Sequence, residues 1–197
     1  YGLTETSPVV SCNIPGKIQV ETVGPPFKTN KVKIASDGEI LIKGENVMLG
    51  YWNKKMETDE IIKNGWLYTG DIGEINKEGN LKITDRKKEL IVNLGGDNIS
   101  PTKIENLLCL NENIKQSFVY GDKKNYLVAL IVTENLTNEL KIKEFINKLN
   151  KNLSLIEKIK KFKLITEEFT IENGMLTPTL KLKRKEIVKN YKQQIEN

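Results

Sequence analysis

Histidine is missing from all 197 residues, and cysteine occurs only twice, as Cys12 and Cys109. Without imidazole the chain cannot build a Ser-His or Cys-His hydrolase triad, and two thiols alone fall short of a Cys/His zinc site. Two cysteines are also too few for a disulfide scaffold, and free thiols suit a cytosolic protein. No apolar run approaches the ~20 residues that a membrane-spanning helix needs, which excludes a helical integral membrane protein. Arginine is almost as scarce, since 29 of the 31 basic residues are Lys. What remains is ordinary globular material. Hydrophobic residues make up 38%, rising to about 45% with the 14 glycines, and the length suits one large or two small domains.

Charge is uneven. Residues 1–140 carry 17 Lys+Arg against 19 Asp+Glu, whereas residues 141–197 carry 14 against 7. A basic end can serve RNA or DNA, an anionic lipid surface or a polyphosphate. The dominance of Lys, with abundant Asn and Ile, reads instead as the drift of an A/T-rich coding sequence. Nucleic-acid readers usually interleave Arg with aromatic stacking platforms, and residues 141–197 contain one Arg. Against this background the two arginines, Arg86 and Arg184, mark positions that need a planar, permanently charged fork. Tyr1 is neither an initiator Met nor the start of a signal segment, so the sequence reads as beginning partway into a longer protein.

The first part of the chain reads as short strands and tight turns, with ten of the 14 glycines before residue 85. Val32–Ile34, a Ser36-Asp37-Gly38 turn and Glu39–Lys43 predict a hairpin of alternating polarity, and Asn80–Ile83 a strand ended by the charged Asp85–Glu89 run. Ser100-Pro101 supplies an N-cap and a first-turn proline for a helix whose apolar face carries Ile104, Leu107 and Leu108 and continues to a buried Cys109. Gln116–Tyr120 and Tyr126–Thr133 predict two strands, the second apolar on both faces and therefore central in a covered sheet. Phe145, Ile146, Leu149 and Leu153 mark an amphipathic helix, and Ile187, Val188, Tyr191 and Ile195 a last one. The change of texture puts a boundary in the 85–88 run.

Four segments have the residue types of a ligand site. Tyr1-Gly2-Leu3-Thr4-Glu5-Thr6 combines an aromatic face, a glycine that admits close approach, and hydroxyl and carboxylate oxygens suited to phosphate and Mg²⁺, although on this segment alone a turn with a solvated Glu is the better reading. Gly65–Gly73 packs three glycines and two aromatics around Asp71, which can take both hydroxyls of a ribose or cap its own turn. Residues 83–101 hold a charge run, by itself a wet linker, and a Gly95-Gly96 pair that could line a narrow channel. Residues 174–185 form a Pro-broken Thr/Lys loop able to bring an ammonium to a phosphate or carboxylate, or simply a solvated lysine-rich turn.

In this order, Tyr-Gly-Leu-Thr-Glu (1–5), Trp-Leu-Tyr-Thr-Gly-Asp (66–71), Thr-Asp-Arg-Lys-Lys-Glu-Leu-Ile (84–91) and Leu-Thr-Pro-Thr-Leu-Lys-Leu-Lys-Arg (176–184) resemble four successive motifs of the adenylate-forming enzyme superfamily, most closely the long-chain fatty-acyl-CoA ligases. The resemblance covers all 197 residues and is to the C-terminal portion. It implies an α+β fold: residues 1–87 as the strand-rich, distorted β-barrel end of a large AMP-binding domain, and 88–197 as a small α+β lid. It further implies that Tyr1 stacks on adenine beside Gly2, Thr4 contacts phosphates, Glu5 ligates Mg²⁺, Asp71 holds the ribose with Arg86 nearby, Lys88 is the hinge, and Gly95 and Gly96 flank a tunnel for CoA. The mobile lysine corresponds to Lys183, with Lys181 the alternative, because Leu182 stands where the family usually has Gly.

The implied chemistry is activation of a fatty carboxylate by ATP to an acyl-adenylate, followed by thioester formation with CoA. The phosphate loop and acyl pocket that the family carries earlier in its sequence are not among these residues, so the 197 residues alone are expected to be inactive. The resemblance implies a cytoplasmic protein, peripheral at the inner face of a membrane where its substrate draws it there. Alternatives are a ligase charging acyl carrier protein, a peptide-synthetase adenylation domain, and, outside enzymes, a Lys-rich module for RNA or anionic lipid. Acyl chain length and oligomeric state are not legible.

Overall fold

The hairpin around Ser36-Asp37-Gly38 is the first extended structure of the chain. In the computed structural model, which describes residues 1–196, β1 (Asn30–Ile34) returns antiparallel as β2 (Glu39–Gly44), with Ile34 opposite Ile40. The Gly38 N–H donates to the Ala35 carbonyl at 3.0 Å to close the turn. The alternation expected of this hairpin fails in β2, where Glu39, Ile40, Leu41 and Ile42 are all buried. Both faces of β2 are covered. Ile40 and Ile42 join Val10 and Leu81 in the core, while Glu39 on the other face is bonded by Lys87 and Gly70.

Helix α1 (Lys55–Ile61) and the two-residue strand β3 (Ile62–Lys63) lead into β4 (Trp66–Ile75), the longest strand. β4 pairs antiparallel with β2, with β3 near its start, and with β5 (Leu81–Arg86) near its end. The predicted end of β5 is therefore corrected. It runs through Asp85 and Arg86, which take the ladder positions opposite Ile72 and Asp71. Register shifts bend β4 against both β2 and β5, as β-bulges do. These elements and a short 3₁₀ turn, Lys87–Glu89, belong to one compact unit, Tyr1–Glu89.

The second unit begins at Leu90. A small hairpin, β6 (Ile91–Val92) with β7 (Asn98–Ile99), precedes α2 (Pro101–Leu108). The Ser100 hydroxyl accepts from the Lys103 N–H at 3.2 Å, the cap that its sequence predicts. β8 (Gln116–Tyr120), β9 (Leu127–Val132) and β10 (Ile159–Ile165) form a sheet of order β10-β9-β8, antiparallel between β8 and β9 and parallel between β9 and β10. β9 is buried at all six positions because both sides of the sheet are covered. Leu127, Ala129 and Ile131 face Ile104 and Leu108 of α2 and Ile142 and Ile146 of α3 (Glu139–Leu149). Leu130 and Val132 face Phe169, Met175 and Ile187, the last on α4 (Arg184–Asn190).

Further expectations change. Leu153, predicted on the helix with Phe145, Ile146 and Leu149, lies beyond the last residue of α3, although it is buried. Cys109 is exposed, not buried. Ile104 and Leu108 are one helical repeat apart, and the next residue is rotated about 100° off their stripe at the end of α2. The last predicted helix is broken at Tyr191 into α4 and α5 (Lys192–Glu196), although Ile187, Tyr191 and Ile195 are buried as the pattern requires. The chain is α+β, and no helix among the described residues is long and apolar enough to cross a membrane.

Candidate nucleotide site and lysine loop

The centre of the first site is a bulge in β4. Leu41 pairs with Tyr68, but Glu39 pairs with Ile72, so β4 carries extra residues at Thr69-Gly70-Asp71. Gly70 has φ +70°, a left-handed conformation that glycine adopts without steric cost. Three bonds fix the bulge. The Thr69 hydroxyl donates to the Ile40 carbonyl at 2.8 Å and accepts from the Asp71 N–H at 3.0 Å, while the Gly70 N–H donates to Glu39 Oε1 at 2.8 Å. Asp71 is thereby turned inward, with 3% of its surface exposed.

Asp71 is not a cap of its own turn. The Tyr1 hydroxyl donates to its Oδ2 at 2.6 Å, and Arg86 Nε lies 2.7 Å from its Oδ1. Burial, reinforced by the bond to Asp71 and its charge, raises the Tyr1 phenol well above its ordinary value, so the ring stays neutral and remains a donor. The Asp71 side chain is 5% exposed and the Arg86 side chain 52%, so the guanidinium is the solvent-side partner of a buried carboxylate. Tyr1, Asp71 and Arg86 are thus brought together by direct bonds across 85 residues of sequence.

Gly2, which bridges Val9, follows Tyr1 and leads to Thr4 and Glu5 on a 3₁₀ turn, Thr4–Thr6. A Cβ at Gly2 would run into the Pro8 carbonyl, so its missing side chain already serves the chain's own packing. Thr6 is fully buried, and its hydroxyl accepts from the Leu3 N–H at 2.9 Å to hold the turn; Thr4 is exposed. Glu5 accepts from the Tyr51 hydroxyl at 2.6 Å, a bond that pushes the Tyr51 phenol up. Tyr51 is a residue that sequence reasoning missed. Nothing local marks it, and its partner is 46 residues away. One carboxylate beside a hydroxyl fits Mg²⁺, which typically takes one or two carboxylates and completes its shell with phosphates and water. No group of three or more metal-ligating side chains exists among the described residues.

The charge run after β5 is not a solvated linker. Lys87 Nζ donates to Asp37 Oδ2 and to Glu39 Oε2, both at 2.7 Å. These bonds raise the Lys87 ammonium and lower the Asp37 carboxyl relative to their ordinary values. Since Glu39 also holds Gly70, the residue before Lys88 is tied to the bulge that aims Asp71. Lys88 itself is exposed in the 3₁₀ turn.

In the second unit, Gly95 and Gly96 form the exposed tip of the β6–β7 hairpin, closed by the Asn93 carbonyl accepting from the Gly96 N–H at 3.1 Å. The 174–185 segment is a second tight hairpin. Leu176 bridges Leu182, the Thr177 N–H donates to the Lys181 carbonyl at 2.8 Å, and the Lys183 N–H donates to the Met175 carbonyl at 2.8 Å. Leu182 packs on the apolar cluster around Phe118 and Ile187. The side chain at the usual glycine position therefore has a place, while Lys181 and Lys183 on either side of it are exposed. Arg184, the other scarce arginine, forks onto Glu105 with bonds of 2.9 and 2.6 Å.

A lysine-lined groove of about 610 Å³ runs along β10, between Lys143, Lys160, Lys161 and Lys163. β10 is an edge strand with a register shift at its start. Lysines and a bulge are how edge strands avoid pairing with other chains. The groove's single aromatic, Phe162, packs against the core and offers no stacking platform.

The AMP-binding enzyme C-terminal domain model matches residues 88–197, and the AMP-binding enzyme model matches residues 1–52. The chain belongs to the AMP-binding enzyme family. It is 35% identical over its whole length to long-chain-fatty-acid–CoA ligase FadD15 of Mycobacterium bovis, covering 37% of that protein. Identity to long-chain-fatty-acid–CoA ligase 5 of Mus musculus is 36%, again over the whole chain and covering 34% of the mouse protein. The chain thus spans about a third of the length of these AMP-binding relatives. In three dimensions it is similar to O-succinylbenzoate coenzyme A synthetase (MenE) from Bacillus subtilis in complex with AMP, with TM-score 0.76, 28% identity, 95% of this chain and 40% of that one. The same synthetase in complex with ATP and magnesium ion is similar at TM-score 0.73 and 27% identity, over 100% of this chain and 40% of that one.

Proposed function

We propose that this chain is the C-terminal part of a long-chain fatty-acid–CoA ligase that activates a carboxylate with Mg²⁺-ATP and passes the acyl group to CoA. The observation that carries the reading is the Tyr1–Asp71–Arg86 cluster, a buried carboxylate held between an aromatic donor and a guanidinium. It stands within a family whose relatives carry that ligase name at about 35% identity over every residue of this chain. In this reading residues 1–87 end the large AMP-binding domain and residues 88–197 are the lid.

Asp71 would accept both ribose hydroxyls. Its two oxygens offer about four lone-pair positions, and Tyr1 and Arg86 use one each. The Tyr1 ring, with Gly2 beside it, would lie along the adenine, and Thr4 would reach the phosphates. Glu5, aligned by Tyr51, would hold Mg²⁺, which neutralises phosphate charge when bound. Lys183 would bridge the substrate carboxylate and an α-phosphate oxygen as the carboxylate attacks phosphorus and pyrophosphate leaves. A compact point charge suits that task. Rotation at Lys88 would then withdraw Lys183 and bring the Gly95-Gly96 tip toward the pantetheine arm of CoA, whose thiol attacks the acyl carbon and expels AMP.

The backbone supports Lys183 over Lys181. Both lysines have bonded N–H and carbonyl groups, but Lys183 lies between two anchored residues, Leu182 and Arg184, whereas Lys181 has Leu182 on one side and the exposed Leu180 on the other. A cytoplasmic or membrane-peripheral enzyme is consistent with a chain without a spanning helix among its described residues. The test is product analysis of the full-length enzyme given Mg²⁺-ATP, CoA and fatty acids of graded length. Equal amounts of AMP and acyl-CoA, best with long chains, are expected. Release of ADP, or no fatty-acid-dependent AMP, contradicts the reading.

A further inference from the structure

Glu105 lies in α2, a helix that carries none of the motifs, and yet it is among the most constrained charged side chains of the second unit. Only 6% of the residue is exposed. Its Oε1 accepts from Arg184 Nη1 at 2.9 Å and from the Val119 N–H at 2.8 Å, and its Oε2 accepts from Arg184 Nη2 at 2.6 Å. The Arg184 guanidinium is centred 5.5 Å from the Phe118 ring, and its side chain is 18% exposed. A two-bonded carboxylate–guanidinium pair of this geometry fixes direction as well as distance, which a lysine in place of Arg184 would not.

Arg184 is the first residue of α4, and Lys183 is the N-cap residue before it. The Lys183 carbonyl accepts from the Glu186 and Ile187 N–H groups at 2.9 and 3.1 Å, and its own N–H donates to the Met175 carbonyl at 2.8 Å. Leu182, one residue earlier, is packed in the apolar cluster. Lys183 therefore projects from a backbone position clamped between two interior anchors, one apolar and one ionic. α4 has seven residues, too few to persist by helical propensity, so its start depends on such anchors.

We infer that Glu105 is a positioning residue for the adenylation step, acting through Arg184 to set the direction in which Lys183 leaves the chain. The inference rests on Lys183 acting in that step. Removing the Glu105 charge would cost the mostly buried Arg184 its two-bonded carboxylate and loosen its direction, and that of α4 with it. A displacement of about 1 Å in a charge aimed at a developing phosphate oxygen costs on the order of 10²-fold in rate.

The experiment uses the full-length enzyme and reads the two half-reactions separately, with Glu105→Gln, Lys183→Ala and the double variant. Glu105→Gln is expected to lower the rate of fatty-acid-dependent ATP–pyrophosphate exchange by roughly 10- to 100-fold. KM for ATP and for the fatty acid should stay within about two-fold, as should thioester formation from supplied acyl-adenylate and CoA, because a positioning loss falls on kcat. In the Lys183→Ala background, Glu105→Gln should add nothing further. Equal loss in both half-reactions, a further loss in the double variant, or no loss at all overturns the inference. If Lys183→Ala itself leaves exchange intact, the assignment of Lys183 fails and the inference falls with it. If Lys183→Ala abolishes exchange and Glu105→Gln does not lower it, the inference alone fails. Should Glu105→Gln not fold, Arg184→Lys, which keeps the charge and loses the fork, is expected to give the same split with a smaller loss, and an unsplit loss counts against the inference in the same way.

Discussion

Arg86 stands directly across the β4–β5 ladder from Asp71, and its Nε lies 2.7 Å from a carboxylate that is itself nearly buried. The pairing explains why strand β5 continues into what looks like a linker, and why arginine survives there in a chain that has otherwise turned to lysine. It also separates what Asp71 does for the fold from the ribose role proposed for it, because Arg86 is half exposed and stays hydrated, while an amide oxygen at position 71 can still accept from the Tyr1 hydroxyl.

Asp71→Asn in the full-length enzyme is therefore expected to fold and to lose use of ATP. Losing charge-assisted hydrogen bonds to the ribose should cost about 2–4 kcal/mol in kcat/KM for ATP, with the melting temperature little changed. Steady-state kinetics with varied ATP, beside a thermal melt, check this. An unchanged kcat/KM would make Asp71 a purely structural partner of Arg86.

Lys88→Pro tests the hinge. Proline fixes φ near −65°, so rotation about this bond is blocked. Thioester formation should fall by roughly ten-fold or more while fatty-acid-dependent pyrophosphate exchange falls much less. Equal effects on the two half-reactions would move the hinge elsewhere.

Tyr191 makes the stability of the second unit depend on pH. Burial and the bond that its hydroxyl donates to Glu167 at 2.8 Å raise the phenol from 10.0 to about 12. A folded value above the unfolded one contributes stability that is complete below pH 10 and is lost as pH rises toward about 12. Tyr191→Phe keeps the edge-on contact with the Phe169 ring, at 6.2 Å between centroids, and should show a smaller loss of melting temperature across this window than the unaltered protein. Parallel slopes for the two proteins would contradict the assignment.

Cys12 and Cys109 are both free and exposed. Alkylation under native conditions without reductant should add two labels by intact mass. One label, or none, would mean that a thiol is shielded or paired.

Much of this was legible because the deciding signal is local. Ser100-Pro101 announces its helix, Leu127–Val132 is apolar at every position because both faces of β9 are covered, and the two arginines mark two of the buried carboxylates, Asp71 and Glu105. What escaped depends on distant partners. β10, Ile-Lys-Lys-Phe-Lys-Leu-Ile, shows no clean period, since it is an edge strand with lysines at outward positions, and its partner β9 lies 27 residues earlier at Val132. Glu105 looks like an ordinary helix-surface charge until Arg184, 79 residues later, closes on it. Glu39 reads as the polar position of a hairpin, yet it is buried because Lys87 and the Gly70 N–H complete it. Cys109 misled in the opposite sense, by following a helical stripe one residue too far.

The claim at the centre of this account is that the exposed lysine of the 176–184 hairpin serves the first half-reaction only. The direct measurement is fatty-acid-dependent ATP–pyrophosphate exchange by the full-length enzyme, for Lys183→Ala and Lys181→Ala, beside thioester formation from synthetic acyl-adenylate and CoA. Lys183→Ala should lower exchange by ~10²–10³-fold or more and spare the thioester step, because one charge aimed at the developing phosphate is lost. Lys181→Ala should change neither by much. Loss of exchange in Lys181→Ala with Lys183→Ala unaffected, or full exchange in both, would contradict the account.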